Sequence, residues 1–107
     1  MAQPSIPERI DEACRRLVGA LHPERIILFG SHVWGTPNAD SDFDFLVIVA
    51  DSELPPHKRA QLAYHSLMGL GVPCDVVVQT HAETERLSKV VTSLTRRVLD
   101  QGRVIHG

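Results

Sequence analysis

The chain has 107 residues, of which 43% are hydrophobic and 22% are charged, so we expect one globular domain with a single core rather than a disordered segment. Its formal net charge of −2 argues against direct nucleic-acid binding, which needs a basic surface, and no run of the sequence approaches the roughly 20 apolar residues of a membrane span. The two cysteines stand in a chain whose start shows no signal-peptide pattern, which predicts reduced thiols and a cytoplasmic location.

The first predicted element is an amphipathic helix over about residues 6–21. Ser5 and Glu8 have the spacing of a capping box, and Pro7 lies in the first turn. The apolar residues that follow at helical spacing are Ile10, Cys14, Leu17, Val18 and Leu21. We expect Pro23 to end the helix.

Short apolar runs predict the strands. The run from Arg25 to Phe29 is nearly continuous, which is typical of a strand buried on both faces. The second strand is predicted over Phe43 to Ala50 and the third over Cys74 to Gln79, and Arg103 to Ile105 is expected to add a fourth strand at an edge. One helical turn, from His32 to Gly35, and a loop are expected between the first two strands.

Two further helices are predicted in the second half of the chain. Pro55 opens a helix whose apolar side continues to Leu70, with Gly71 as its C-cap. The residues from Thr80 to Glu83 form a second capping box, which starts the C-terminal helix. The apolar stripe of this last helix consists of Leu87, Val91, Leu94 and Val98. Its spacing predicts one continuous helix over about residues 84–101.

These elements predict an α/β domain in which helices flank a mixed sheet of three to four strands. We expect one domain over residues 1–107, with a core over about residues 24–80 between the N-terminal and C-terminal helices. The short connection between the first two strands favours antiparallel pairing, whereas the crossover helix allows the third strand to run parallel to the second. The end of strand one and the starts of strands two and three then meet at one end of the sheet.

Three aspartates and a glycine–serine pair are expected at that end. Asp42 and Asp44 stand two residues apart, so their carboxylates share a face of the strand, and Asp75 opens strand three. Such a pair is unfavourable without a cation, and its oxygens suit Mg²⁺, which lets substrate phosphates complete its octahedron. Gly30 and Ser31 offer open backbone and a small hydroxyl to a phosphate. The plainer alternatives are solvated aspartates at a strand boundary, a turn glycine and a capping serine.

The order of these motifs resembles the signature of the DNA polymerase beta-type nucleotidyltransferase superfamily: Gly30-Ser31, ten residues, then Asp42-x-Asp44 opening an apolar strand. Within it the chain is similar to the minimal nucleotidyltransferases, which are antitoxin partners of HEPN-domain toxins. The likeness runs from about Ile26 to the C-terminus and includes Asp75. It implies a single palm domain.

The resemblance also implies roles for these residues. Asp42 and Asp44 would hold the Mg²⁺ of a bound triphosphate and help to hold a second, catalytic Mg²⁺. Asp75 would bind the catalytic metal and activate the acceptor hydroxyl as a general base. Gly30 and Ser31 would bind the nucleotide, with the Ser31 hydroxyl on the β- or γ-phosphate.

The function implied by the resemblance is Mg-dependent transfer of AMP from ATP to a hydroxyl, that of a tyrosine, on a partner HEPN-type toxin, which silences the toxin. Two alternatives are a non-catalytic antitoxin that neutralises its partner by binding, and a stand-alone enzyme that modifies a small molecule. The chain is too short for templated polymerisation, and it has no added helical substrate domain of the kind expected for small-molecule modification.

Five residues near the motifs are interpreted separately. Relatives often carry an arginine directly after the motif serine, where this chain has His32. Trp34 is interpreted as a packing residue, with stacking on adenine or on a partner as the alternative. Asp40 and Ser41 are interpreted as loop residues beside the metal site, and Tyr64 is expected on a helix away from the carboxylates.

Overall fold

A mixed sheet forms the centre of the fold. The computed structural model describes residues 3–38 and 41–107, and in this part of the chain the sheet has four strands in the order β3-β2-β1-β4. They are β1 (Arg25–Phe29), β2 (Phe43–Val49), β3 (Cys74–Thr80) and β4 (Arg103–His106). β1 runs antiparallel to both β2 and β4, whereas β2 and β3 are parallel. The predicted α/β fold and its strand pairing are confirmed.

Five helices flank the sheet within the described ranges: α1 (Ile6–Leu21), α2 (Ser31–Trp34), α3 (Pro56–Ser66), α4 (His81–Ser88) and α5 (Leu94–Gln101). α1 and α3 pack on one face and α5 packs on the other. Alternate residues of β1 serve both faces, because Ile26 and Leu28 join the first apolar cluster while Ile27 and Phe29 join the second. This double burial explains why the β1 sequence is an uninterrupted apolar run.

α1 begins and ends on local hydrogen bonds. The Ser5 hydroxyl accepts a bond from the Glu8 amide at 3.2 Å and donates one to the Glu8 carboxylate at 3.1 Å. At the other end His22 adopts a left-handed conformation, with φ of 47°, and its amide donates to the Val18 carbonyl. These contacts fix the bounds that the sequence predicted.

The helix that starts near Pro55 is shorter than predicted. It ends at Ser66, where the side-chain hydroxyl donates to the Ala63 carbonyl at 2.7 Å and so competes with the backbone ladder. Leu67, rather than Gly71, occupies the C-cap. The predicted extension to Leu70 was wrong because buried residues in successive turns kept a helix-like spacing after the helix had ended.

The predicted C-terminal helix is two helices, α4 and α5. Ser93 starts α5, since its hydroxyl accepts a bond from the Arg96 amide at 3.0 Å and donates to the Leu87 carbonyl at 2.9 Å. Val91 and Leu94, which the prediction placed on the buried stripe, are 86% and 53% exposed. A serine that caps and β-branched residues that are weak helix formers together favour a break at this point.

A buried arginine ties α3 to the beginning of α4. The Arg59 guanidinium donates to the Glu83 carboxylate at 2.8 Å, to the Val78 carbonyl at 3.0 Å and to the Leu54 carbonyl at 3.1 Å. Glu83 also completes the predicted capping box with Thr80. The hydrogen bond from Arg59, followed by that from the Thr80 backbone, lowers the pKa of Glu83 to about 2. This junction is therefore a fully paired charged cluster.

Cys14 and Cys74 are free and partly buried, as the sequence predicted. Burial raises the pKa of both thiols, which makes them poor nucleophiles at neutral pH. In the described part of the chain, no helix combines the length and apolarity needed to cross a membrane.

Candidate active site

The candidate site lies where β1 ends and where β2 and β3 begin. Asp44 is the register partner of Phe29 on one side and of Asp75 on the other. Because register partners on neighbouring strands carry side chains on the same face, the two carboxylates stand side by side. Asp42 precedes β2 and is exposed, as is Asp75, whereas Asp44 is partly buried. The structure thus brings together the three aspartates singled out in the sequence.

The three carboxylates lie close enough to influence one another electrostatically. The pKa of Asp44 is raised, first by burial and then by the charges of Asp75 and Asp42, while His32 lowers it. The neighbouring Cys74 thiol has its pKa raised to about 11, by burial first and then by the same three carboxylates. This end of the sheet therefore carries concentrated negative charge, which disfavours the ionised form of Asp44.

Gly30 is required by the turn between β1 and α2. Its backbone has φ of 79° and ψ of −152°, a conformation that side-chain-bearing residues rarely adopt. A Cβ at this position would collide with the Oδ2 atom of Asp44. The Gly30 carbonyl accepts bonds from the amides of Val33 and Trp34, both at 2.9 Å. The glycine therefore brings bare backbone directly against the carboxylate cluster, which is more than an ordinary turn requires.

Ser31 is the first residue of α2 and does not cap it, because Gly30 occupies the N-cap. Within residues 3–38 and 41–107, no hydrogen-bond partner of the Ser31 hydroxyl is found. The capping alternative is thus not what the structure shows. Ser31 is partly exposed and directly follows Gly30, whose backbone lies against Asp44.

His32 links the glycine turn to the loop before β2. Its Nε2 atom lies 3.3 Å from the Ser41 carbonyl oxygen, and its ring meets Phe43 edge-on at 4.8 Å between centroids. The Ser41 hydroxyl in turn accepts a bond from the Asn38 amide at 2.9 Å. Ser41 thus orders the loop next to Asp42, while Asp40 lies outside the described residues.

Trp34 is a packing residue, as interpreted from the sequence. It lies 5.8 Å from Phe29 between ring centroids and belongs to the second apolar cluster. The Arg97 guanidinium stacks over the Trp34 ring, 4.1 Å from the ring centroid. Cation–π stacking and apolar packing together account for this side chain.

The sequence placed Tyr64 on a helix away from the carboxylates, and this expectation was wrong. Its hydroxyl lies at the carboxylate end of the sheet, donates to Asp75 Oδ1 at 3.4 Å and accepts a bond from the Val76 amide at 3.0 Å. α3 runs back over the sheet, and a short connection brings its last turns beside the start of β3. The brevity of the segment between Ser66 and Cys74 was the signal in the sequence that would have found it.

No group of three or more His, Cys, Asp or Glu side chains in the described ranges is arranged to hold a metal ion. The donors that are present at the site, Asp42, Asp44 and Asp75, are all hard oxygen ligands. Mg²⁺ commonly takes only one or two carboxylates and keeps water and phosphate oxygens as its other ligands. The residues therefore fit a metal that is bound jointly with a nucleotide.

A cavity of about 400 Å³ opens beside the site. It is bordered by His32 and Phe43 on one side and by Arg9 and Val72 on the other. The Arg9 guanidinium donates to the Gly71 carbonyl at 2.9 Å, which joins the start of α1 to the turn before β3. The cavity reaches His32 and Ser41, which flank the carboxylate cluster in the chain, whereas the three aspartates do not line it.

The fold and this end of the sheet define a class of protein, the nucleotidyltransferases. The family model of the nucleotidyltransferase domain matches residues 7–104, and the chain belongs to this family. Among curated proteins, no sequence matches the chain.

Two of the solved structures that are similar to the chain each share 28% sequence identity with it. A crystal structure of a toxin–antitoxin with AMP-PNP has a TM-score of 0.63, and the match covers 91% of this chain and 73% of that one. A crystal structure of the toxin–antitoxin MntA-HpeT, a mutant in which two aspartates two positions apart are replaced by glutamate, has a TM-score of 0.54, with 88% and 70% covered. The family and the AMP-PNP structure support nucleotidyltransferase activity, and the resemblance to minimal nucleotidyltransferase antitoxins is confirmed.

Proposed function

We propose that this chain is a Mg²⁺-dependent nucleotidyltransferase that transfers AMP from ATP to a tyrosine hydroxyl of a HEPN-type toxin and thereby acts as its antitoxin. The observation that carries this proposal is the register of Asp44 against Asp75, with Gly30 held against the Asp44 carboxylate. Repulsion between these carboxylates is unfavourable in the free protein, and a bound metal–nucleotide complex would relieve it.

Each residue has a proposed task. Asp42 and Asp44 would hold the metal that accompanies the triphosphate, and Asp75 would share in holding a second ion. When bound, Mg²⁺ supplies charge neutralisation on the phosphate oxygens. Gly30 and Ser31 would bind the phosphates through the backbone amide and the free hydroxyl.

Asp75 would also act as the general base. It would accept the proton of the acceptor hydroxyl, whose oxygen forms a bond to the α-phosphorus while the bond to pyrophosphate breaks. Asp75 is exposed, so a hydroxyl from another protein can reach it. Positioning and charge neutralisation supply most of the catalysis in phosphoryl transfer, and a small domain can provide both.

The proposed partner rests on the relatives. Both similar structures are toxin–antitoxin complexes, and one contains AMP-PNP, an analogue of ATP. The HEPN class of the toxin and the tyrosine acceptor come from the family resemblance alone. The proposed compartment is the cytoplasm, in keeping with two free thiols.

The test is the intact mass of the toxin encoded beside this chain after incubation with the chain, ATP and Mg²⁺. We expect one or more AMP adducts with the wild type and none with Asp42→Asn/Asp44→Asn. Asp51→Asn, which changes an exposed aspartate just beyond the other end of β2, is the matched control and should transfer normally. Inhibition of the toxin without any adduct would instead indicate an antitoxin that acts by binding, and adducts on a metabolite alone would indicate a small-molecule enzyme.

A further inference from the structure

The Tyr64 hydroxyl joins the backbone of β3 to a carboxylate of the candidate site. It accepts a hydrogen bond from the Val76 amide at 3.0 Å and lies 3.4 Å from Asp75 Oδ1. An amide N–H can only donate, so it occupies a lone pair of the phenol oxygen, and the single phenol proton remains available for Asp75. The direction of the bond is therefore fixed, with Tyr64 as donor and Asp75 as acceptor.

Tyr64 reaches Asp75 around the free edge of the sheet. α3, which carries Tyr64, packs on the face that includes Phe45 and Val76. Asp75 alternates with Val76 along β3 and so projects from the opposite face, next to Asp44. Among the described residues, β3 has a strand neighbour on one side only. Its outward-facing amide at Val76 is therefore open to the tyrosine hydroxyl, and this bond anchors the phenol at the edge.

Asp75 needs such a tether more than the partly buried Asp44 does. It is exposed, and repulsion from Asp44 favours rotamers that turn its side chain away from the site. A hydrogen bond from a neutral donor opposes that rotation and adds no positive charge that would compete with a metal. It also leaves the second oxygen, Oδ2, without a bond from Tyr64.

We propose that Tyr64 is a positioning residue for Asp75. It holds Oδ1 so that Oδ2 is presented to the acceptor hydroxyl and the metal. This inference rests on the proposed function, in which Asp75 is the general base. Tyr64 itself gains no bond to phosphorus in this role, so it should remain unmodified during turnover.

The contact itself can be observed directly, because Tyr64 is the only tyrosine of the chain. Incorporation of 3-fluorotyrosine into this chain gives a single ¹⁹F signal. We expect this signal to move in Asp75→Asn and to stay in place in Asp51→Asn. An unchanged signal in Asp75→Asn would show that the hydrogen bond is not made and would overturn the proposal, whatever the outcome of the activity assays.

The role is tested by a double-mutant cycle on AMP transfer to the toxin. Tyr64→Phe should lower kcat by about 10–100-fold, as loss of a hydrogen bond to a ligating carboxylate commonly does, with the Kd for Mg-ATP unchanged. In the Asp75→Asn background Tyr64→Phe should cause no further loss, because the group through which it acts is gone. A merely structural hydroxyl would give the same loss in both backgrounds, and that result would overturn the proposal.

Two more outcomes also count against it. Wild-type kcat in Tyr64→Phe would remove Tyr64 from the site, and an AMP adduct on Tyr64 would make it an acceptor rather than a positioning residue. If the wild type transfers nothing to the toxin, the proposed function fails and the positioning role fails with it, while the ¹⁹F signal still reports whether the contact exists.

Circular dichroism of each variant and its Mg-ATP affinity show whether Tyr64→Phe is folded. If Tyr64→Phe is not folded, the fluorotyrosine-labelled wild type, which keeps both hydrogen bonds, replaces it in the cycle. Labelling should then change kcat when Asp75 is present and leave the kcat of Asp75→Asn unchanged.

Discussion

The two ends of β3 differ in their electrostatic environment. At its beginning Asp75 stands beside Asp44, and burial and like charge raise the pKa of Asp44. At its end Arg59 donates to the β3 carbonyl of Val78 and pairs with Glu83, whose pKa falls to about 2. One strand therefore has mutually repelling carboxylates at its beginning and an ion pair at its end.

On the proposed function, this difference separates residues that stabilise the fold from residues that bind a ligand. A buried guanidinium with its acceptors in place contributes to folding, and removal of either partner is costly. Paired carboxylates without a cation oppose folding and are retained where binding requires them. Substitutions at the aspartate end should accordingly reduce activity without reducing stability. Substitutions at the Arg59 end should reduce stability.

The largest expected effect is on catalysis at the aspartate end. Asp75→Asn should lower AMP transfer by about 10²–10⁴-fold, the usual cost of losing a general base, while Mg-ATP still binds. Asp44→Asn should weaken nucleotide binding and transfer together. Calorimetric titration of Mg-ATP alongside intact mass of the toxin separates the two, and wild-type transfer by Asp75→Asn would exclude that residue from the site.

At the other end, Arg59→Met should destabilise the protein by about 3–5 kcal/mol, because it leaves the Glu83 carboxylate without its partner. The matched control is Arg15→Met, since Arg15 pairs with Glu12 at 2.7 Å but its side chain is 74% exposed. An exposed pair contributes at most about 1 kcal/mol. Urea unfolding of both variants makes the comparison, and equal losses would mean that the Arg59 junction is not the stabilising element.

The same junction predicts a pH dependence of stability. The pKa of Glu83 is lowered from 4.5 to about 2 in the folded state, so its contribution is fully present above the unfolded value and is lost as the pH falls towards 2. Over that window we expect a loss of at most about 3 kcal/mol from this group, since solvent screens the partly exposed carboxylate. Urea unfolding at several pH values should show a shallower acid-side decline in Glu83→Gln, and parallel curves would contradict the assignment.

A comparable loss of stability is expected at the glycine turn. Gly30 and Gly69 have nearly the same φ, 79° and 81°, but a Cβ meets Asp44 at the first position and nothing within 4 Å at the second. Both alanine variants should lose about 1–2 kcal/mol from backbone strain. Gly30→Ala should lose about 1–3 kcal/mol more through the collision and should also weaken Mg-ATP binding. Equal behaviour of the two variants would mean that Gly30 serves only the turn.

Where local chemistry decides the structure, the sequence predicted it. The apolar run of β1, the Ser5 cap and the Thr80–Glu83 capping box each depend on neighbours within a few positions, and each was confirmed. The convergence of Asp44 with Asp75 was predictable as well, because a helical crossover implies parallel strands whose starts coincide.

Features that depend on competing or distant contacts were not predictable in this way. The stripe from Leu87 to Val98 has helical spacing, yet Ser93 offers a cap that ends one helix and starts another. The contact between Tyr64 and Asp75 depends on how α3 lies across the sheet, and hydrophobic periodicity does not fix that angle. Periodicity shows that residues share a face of one element but not which neighbour they meet.

The most direct test is the melting temperature of the wild type and of Asp44→Asn, each with EDTA and with Mg²⁺ plus AMP-PNP. Because the folded state raises the pKa of Asp44, removal of its charge should leave the metal-free protein as stable as the wild type or more so. Mg²⁺ with AMP-PNP should raise the melting temperature of the wild type through binding to the folded state and should have little effect on the variant. A variant that is less stable in EDTA, yet gains as much from Mg²⁺ and nucleotide as the wild type, would show that Asp44 is a structural residue and that the nucleotide site lies elsewhere.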